Sequence, residues 1–159
     1  MTNIGSKNFN IILFRPQIPP NTGNIIRLCS NTNSMLHLIK PFGFEMNNKS
    51  LRRAGLDYLK DVTIKEFLSL NDCIKFIGKT NVYFITKFGK TNYSNAHFKL
   101  GDTLIFGSEI DGLPNELLQK ANNKQKLFIP MNHKSRSLNL SNAVSICIYE
   151  AWKQNKFCN

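Results

Sequence analysis

Short apolar runs closed by Pro or Gly recur along this 159-residue chain, and they constrain its fold more than any other feature. Phe9–Phe14 (FNIILF) stops at Arg15-Pro16, Met35–Ile39 (MLHLI) at Pro41 and Gly43, and Leu127–Ile129 (LFI) at Pro130. Val82–Thr86 (VYFIT) and Thr103–Phe106 (TLIF) are of the same kind. Runs this short and this continuously apolar read as strands buried on both faces. Helical patterns fall between them. Asn21 can cap a helix through Asn24–Cys29, and Lys49–Leu59 has helical character. Phe67, Leu70, Ile74 and Ile77 stand at helix spacing, after a possible short strand at Val62–Ile64. Pro114 can open the helix PNELLQKA, and Leu140–Lys153 keeps Ala143, Ile146, Cys147 and Trp152 on roughly one side. Strand and helix in alternation predict an α/β domain with a mainly parallel sheet, whose ligands sit beyond the carboxyl ends of the strands. Without a repeat or a long linker, residues 9–159 are expected to form a single domain, with Met1–Asn8 as a flexible extension.

Charge narrows the partners. The chain has 21 Lys+Arg against 10 Asp+Glu, a net +11. Residues 1–44, 73–101 and 117–149 contain no acidic residue, so positive potential there is not cancelled locally. Such a surface attracts polyanions, because ammonium and guanidinium groups that neutralise phosphates release condensed counterions. RNA, DNA and an acidic membrane surface are the candidates, set against ordinary solvated lysines in a Lys-rich chain. Lysine greatly outnumbers arginine, so Arg15, Arg27, Arg52, Arg53 and Arg136 mark positions where a planar fork suits phosphate or carboxylate. No apolar run approaches the length of a membrane span, and the first residues lack the apolar stretch of a secretory signal. A soluble cytoplasmic protein is expected. Cys29, Cys73, Cys147 and Cys158 are too dispersed for a CxxC site, so reduced thiols and no metal are expected.

Nucleotide-binding GxGxxG and GxxxxGK[ST] patterns are absent, and His37, His97 and His133 lie outside any nucleophile motif. Three other segments put small or polar residues just past a predicted strand. The first is PPNTGNIIR (residues 19–27), where Gly23 allows close approach, Asn21 and Thr22 can cap a helix, and Arg27 lies about two turns in. In FGSEIDGLP (106–114), Gly107 and Gly112 form a tight turn that holds Glu109. The segment IPMNHKSRSLNLSNA (129–143) carries Arg136, Ser137, Asn139, Ser141 and Asn142, more polar groups than one helix cap needs. Each could equally be a plain cap or turn when taken alone.

In this order and spacing, NTGNIIRL, FGSEIDGLP and IPM…SRSLNLSNAVSICIYEAW resemble the three motifs of the SPOUT class of RNA 2′-O-ribose methyltransferases, with similarity from roughly Asn10 to Lys153. IPPNTGNIIRLC together with LRRAGLDY (51–58) is similar to its small single-domain branch acting on the tRNA wobble nucleotide, cytidine or uridine 34. The resemblance implies a C-terminal trefoil knot, a homodimer, S-adenosylmethionine as methyl donor (leaving S-adenosylhomocysteine) and no metal. It further implies the tRNA anticodon stem-loop as substrate, met partly by the subunit opposite the donor. Carried over by motif, Ile85, Thr86, Gly107, Ile129, Met131, Ser137 and Leu138 would hold the donor. Arg27, Asn21, Glu109, Ser137 and Asn139 would serve catalysis, and Arg27, Arg52, Arg53, Arg136 and Tyr149 would lie near RNA or the dimer seam. Ser108 stands where a proline is common, Asp111 where relatives often carry a basic residue, and TKFGK (86–90) departs from the usual TTKG. A 2′-O-methyltransferase for rRNA or another tRNA site, and a non-catalytic RNA-binding factor on the same fold, are the alternatives.

Overall fold

The computed structural model describes residues 7–47, 49, 51, 53, 58 and 60–158. Its elements in chain order are β1 (Asn10–Phe14), α1 (Pro19–Asn31), β2 (Met35–Ile39), β3 (Ile64–Phe67), α2 (Leu70–Ile77), β4 (Val82–Ile85), β5 (Thr91–Asn92), β6 (Thr103–Phe106), α3 (Asn115–Lys120), β7 (Lys126–Phe128) and α4 (Leu140–Gln154). The strands form one sheet in the order β3-β2-β1-β6-β4-β7-β5. Every pairing in it is parallel, with Asn10 opposite both Met35 and Thr103 at the centre. The mainly parallel α/β sheet expected from the apolar runs is the observed architecture.

Side chains alternate across a strand, so consecutive apolar residues feed opposite faces. Ile11 and Leu13 of β1, with Leu36, Leu38, Leu104 and Phe106, pack beneath Ile25, Ile26 and Cys29 of α1 and Val144, Cys147 and Ile148 of α4. Ile12 and Phe14, with Ile39, Phe84 and Ile105, pack on the other face against Leu70 and Cys73 of α2 and Leu118 of α3. Burial pushes the Cys73 and Cys147 thiols up to about 12 and that of Cys29 higher still, so all three are protonated packing groups. Each fully buried Leu, Ile or Val contributes ~1.5–3 kcal/mol relative to exposure, and both layers depend on it.

Several local expectations change. Asn21 does not cap α1: Ile18 holds that position without a side-chain bond, and Pro19 and Pro20 start the helix because their missing N–H groups are no loss there. Phe67 belongs to β3 rather than to the following helix, and β3 begins at Ile64 instead of ending there. Ser69 is the actual cap of α2, accepting from the Asp72 N–H at 3.1 Å. Along α4 the buried stripe is Leu140, Val144, Cys147, Ile148 and Ala151, while Ala143, Ile146 and Trp152 are only half-buried. The two-residue β5 was not expected. Of the extension Met1–Asn8, residues 1–6 lie outside the described residues. Asn8 is buried, donating from its side chain to the Thr32 carbonyl at 3.0 Å and accepting from the Gly101 N–H at 2.7 Å. Arg52 and most of Lys49–Leu59 also lie outside the described residues. Lys49, Leu51 and Arg53 are helical.

Candidate active site

Loops after β4, β6 and β7 leave the carboxyl edge of the sheet side by side and enclose a cavity of about 430 Å³. Each loop has its own lock. After β4, Thr86 N–H donates to Leu127 O at 2.9 Å, and Gly89 N–H folds back to Thr86 O at 3.0 Å. A Cβ on Gly89 would come within 2.6 Å of Phe128 N, so only glycine lets this turn lie against β7. After β6, Ser108 and Gly112 exchange backbone hydrogen bonds at 3.2 and 3.0 Å. Gly112 sits at φ 67°, and a Cβ on Gly107 would overlap the backbone of Gly112 and Leu113. Ser108 Oγ accepts from Asp111 N–H at 3.0 Å, so this serine steadies the loop. After β7 the chain runs exposed to Asn139, whose side chain caps α4 by accepting from Ser141 N–H at 2.9 Å.

One polar relay ties the three motif segments together. The Glu109 carboxylate accepts from Gln17 N–H at 2.8 Å, Ile18 N–H at 3.1 Å and the Asn21 amide at 3.1 Å. Asn21 Oδ1 in turn accepts from Asn139 Nδ2 at 2.9 Å. Residues about ninety to a hundred and twenty positions apart are thereby fixed against one another. Asn21, buried in the first turn of α1, supplies the middle link, a role quite different from helix capping.

Ile85, Thr86, Gly107, Ile129, Met131, Ser137 and Leu138, the residues expected around a methyl donor, all line this one cavity, together with Asn21, Glu109 and Asn139. Arg136, expected near RNA, is in the cavity wall as well. Arg27 is not. It is exposed on α1, with its guanidinium 5.2 Å from the centre of the Tyr58 ring, a cation–π distance. Arg53 is exposed, and Tyr149 lies on the outer side of α4, 44% exposed and 5.8 Å from the Trp152 ring. Ile18, Lys87, Phe88, Ile110 and Asp111 also line the cavity and were not singled out as site residues. The TKFGK departure was the available signal for Lys87 and Phe88. Lys87 and Arg136 line the cavity beside Glu109 and Asp111, and neither of the ion pairs among the described residues, Lys40–Glu66 and Lys153–Glu150, includes a cavity residue.

A parallel α/β sheet with a cavity at its carboxyl edge, where the three motif segments meet through Asn21, Glu109 and Asn139, defines the class. Residues 8–149 match the sequence model of the SpoU rRNA Methylase family, and the chain belongs to that family. It is 46% identical over 145 residues to the tRNA (cytidine(34)-2′-O)-methyltransferase of Escherichia coli (strain K12), covering 91% of this chain and 92% of that protein. To the protein of the same name from Yersinia pestis it is 48% identical over 150 residues, covering 91% and 93%. A solved structure concerned with the 2-OH methylation of C/U34 on tRNA superposes with a TM-score of 0.88 at 35% identity, covering 97% of this chain and 100% of that one. The cofactor AdoMet complex of the SpoU methyltransferase AviRb from Streptomyces viridochromogenes shares the fold, with a TM-score of 0.84 at 21% identity over 96% of this chain and 60% of that one.

Proposed function

We propose that this chain is an S-adenosylmethionine-dependent methyltransferase that modifies the ribose 2′-OH of the wobble nucleotide, position 34, of tRNA in the cytoplasm. The observation that carries the reading is the convergence of all seven expected donor-binding residues on one cavity, locked to the first motif through Glu109, Asn21 and Asn139. Relatives at 46–48% identity that bear the wobble-methyltransferase name support nucleotide 34 over an rRNA site.

The cavity fits the donor chemically. S-adenosylmethionine needs an apolar slot for a flat adenine and polar partners for its edges, and ~300–1,000 Å³ is the usual size of such pockets. Ile85, Ile129, Met131 and Leu138 supply the slot. The backbone N–H groups of Met131, Ser137 and Leu138 make no hydrogen bond to the chain among the described residues, which leaves them for a ligand. When bound, the donor supplies an electrophilic methyl on a sulfonium.

The residues of the chain have to hold a weakly acidic 2′-OH in line with that methyl. A guanidinium is always protonated in proteins, so Arg27 acts by gripping the adjacent phosphate and orienting the hydroxyl, not by removing the proton. Its exposure outside the donor cavity of its own chain suits a homodimer in which RNA lies across both subunits, and Arg53 and Tyr149 are exposed as well. Ser137 and Asn139 keep the third loop in register with nucleotide and donor. The C-terminal trefoil knot belongs to this same reading.

Mass-spectrometric mapping of ribose methylation in tRNA from cells with and without the gene tests the assignment, since loss confined to nucleotide 34 is expected. Arg27→Ala should lower turnover by roughly 100-fold, the scale of a misplaced reacting group, while S-adenosylhomocysteine affinity, measured by calorimetry, stays within about twofold. Near-normal turnover would overturn the role given to Arg27. A ribosomal product would move the substrate.

A further inference from the structure

The turn after β4 carries a side chain that the donor cavity does not explain. Phe88 is 63% exposed, although the segment around it is firmly pinned. Its N–H donates to Thr86 Oγ1 at 3.3 Å, Gly89 is pressed against the β7 backbone, and Lys90 N–H donates to Lys126 O at 3.0 Å. Phe88 is therefore held out in solvent by a rigid turn. It stands between two hollows: it lines the donor cavity, and it also walls a second depression of about 170 Å³ with Asn115, Leu118, Gln119 and Lys126.

That depression has the chemistry of a nucleotide subsite. One wall is an exposed aromatic ring, the floor includes Leu118, two carboxamides stand at the edge, and an ammonium completes it. No residue lining it is negative, and the Lys87 ammonium lies 5.2 Å from the centre of the Phe88 ring. An exposed ring among cations is how single-stranded nucleic acid is gripped, because every base has a face that stacks and every base is joined to a phosphate. Carboxamides add donors and acceptors for a base edge. A base with its phosphate fits the pairing of the Phe88 ring with the Lys126 and Lys87 ammonium groups, which an apolar peptide face would not use.

Resting on the function proposed above, we propose that Phe88 is a stacking platform for an unpaired anticodon-loop base next to the wobble nucleotide, with Lys126 taking its phosphate. Thr86, in the donor wall, and Phe88 share one turn, so the platform sets where the neighbouring ribose falls relative to the methyl donor.

The test uses the full chain and a synthetic anticodon stem-loop carrying 2-aminopurine on one or the other side of nucleotide 34. Phe88→Ala should weaken stem-loop binding about tenfold, the scale of losing one stacked base. It should also abolish the quenching of one of the two 2-aminopurines, with Phe88→Trp restoring both. S-adenosylhomocysteine affinity should fall by clearly less than stem-loop affinity, since Phe88 is one of many residues of the donor wall, and Lys126→Ala should lower the salt dependence of stem-loop binding by about one ion. Wild-type stem-loop affinity and quenching in Phe88→Ala would overturn the platform while leaving the methyltransferase assignment intact. Equal loss of S-adenosylhomocysteine binding would make Phe88 a wall of the donor site instead. Dissociation of a dimer without loss of RNA affinity per site would make the patch a self-contact. A wild-type protein that neither binds nor methylates the stem-loop would remove the underlying function, and the platform with it.

Discussion

Removing the Glu109 carboxylate should loosen the fold locally by an amount the relay geometry sets. Three hydrogen bonds end on it, two from backbone N–H groups and one from the buried Asn21 amide. Hydrogen bonds to a charged group contribute ~1.5–3 kcal/mol each when buried. Glu109 is only half-buried, and Ile18 is 43% exposed, so water replaces part of what is lost at the two backbone donors. Discounted to ~0.5–1 kcal/mol each for that access, the three bonds give Glu109→Ala a cost of ~1.5–3 kcal/mol. Glu109→Gln keeps one acceptor but turns an N–H₂ group toward a donor, and should cost ~1–2 kcal/mol. With a urea slope of ~2 kcal/mol per molar for a domain of this size, the Glu109→Ala midpoint should fall by about 1 M at unchanged slope. Hydrogen exchange should show the Gln17 and Ile18 amides losing protection. Glu109 and Asn139 each bond Asn21, so a double-mutant cycle between them should show ~0.5 kcal/mol or more of coupling that disappears in an Asn21→Ala background. A midpoint shift below about 0.2 M with both amides still protected would refute the idea that the relay holds the three motifs together.

Two further outcomes follow from buried groups. His37 is fully buried, and its pKa is lowered to about 4 by burial first and by the nearby Lys65 charge second. The Asn10 amide already donates to Gly101 O, so its Oδ1 is the acceptor at 3.0 Å and His37 Nε2 carries the proton. The folded protein keeps His37 neutral while the unfolded chain protonates it below about 6.5, so stability is complete above that pH and declines from about pH 6.5 to 4. The loss should reach ~3 kcal/mol, and His37→Gln should flatten the slope in urea titrations run across that range. At the donor loop, Gly107→Ala should weaken S-adenosylhomocysteine binding by about tenfold or more in calorimetry, because its Cβ overlaps the Gly112 and Leu113 backbone. Gly112→Ala meets no atom within 4 Å and should cost only the left-handed strain of ~1–2 kcal/mol. Equal effects of the two substitutions would contradict that distinction.

The residues themselves determined the sheet and the chemistry near it. FNIILF, MLHLI and TLIF are apolar at consecutive positions, which only a strand covered on both faces can use, and the Pro and Gly that follow them end each strand locally. Motif order likewise groups Gly107, Met131 and Leu138 as expected donor contacts, and all three line one cavity. What sequence could not settle depends on partners distant along the chain. Asn21 reads as a helix cap because local pattern records only neighbours, whereas its actual bonds run to residues 109 and 139. Arg136 reads as an RNA contact, and the loop after β7 also brings this exposed residue to the cavity lining, which local pattern does not foretell. Phe88 is marked in sequence only by the departure of TKFGK from TTKG, and it is the turn locked by Gly89 that leaves it exposed between two hollows. Periodicity and turn chemistry are local and are written in the chain. The direction in which a loop side chain finally faces is decided by tertiary contacts that bring loops from opposite ends of the sequence to the same edge of the sheet.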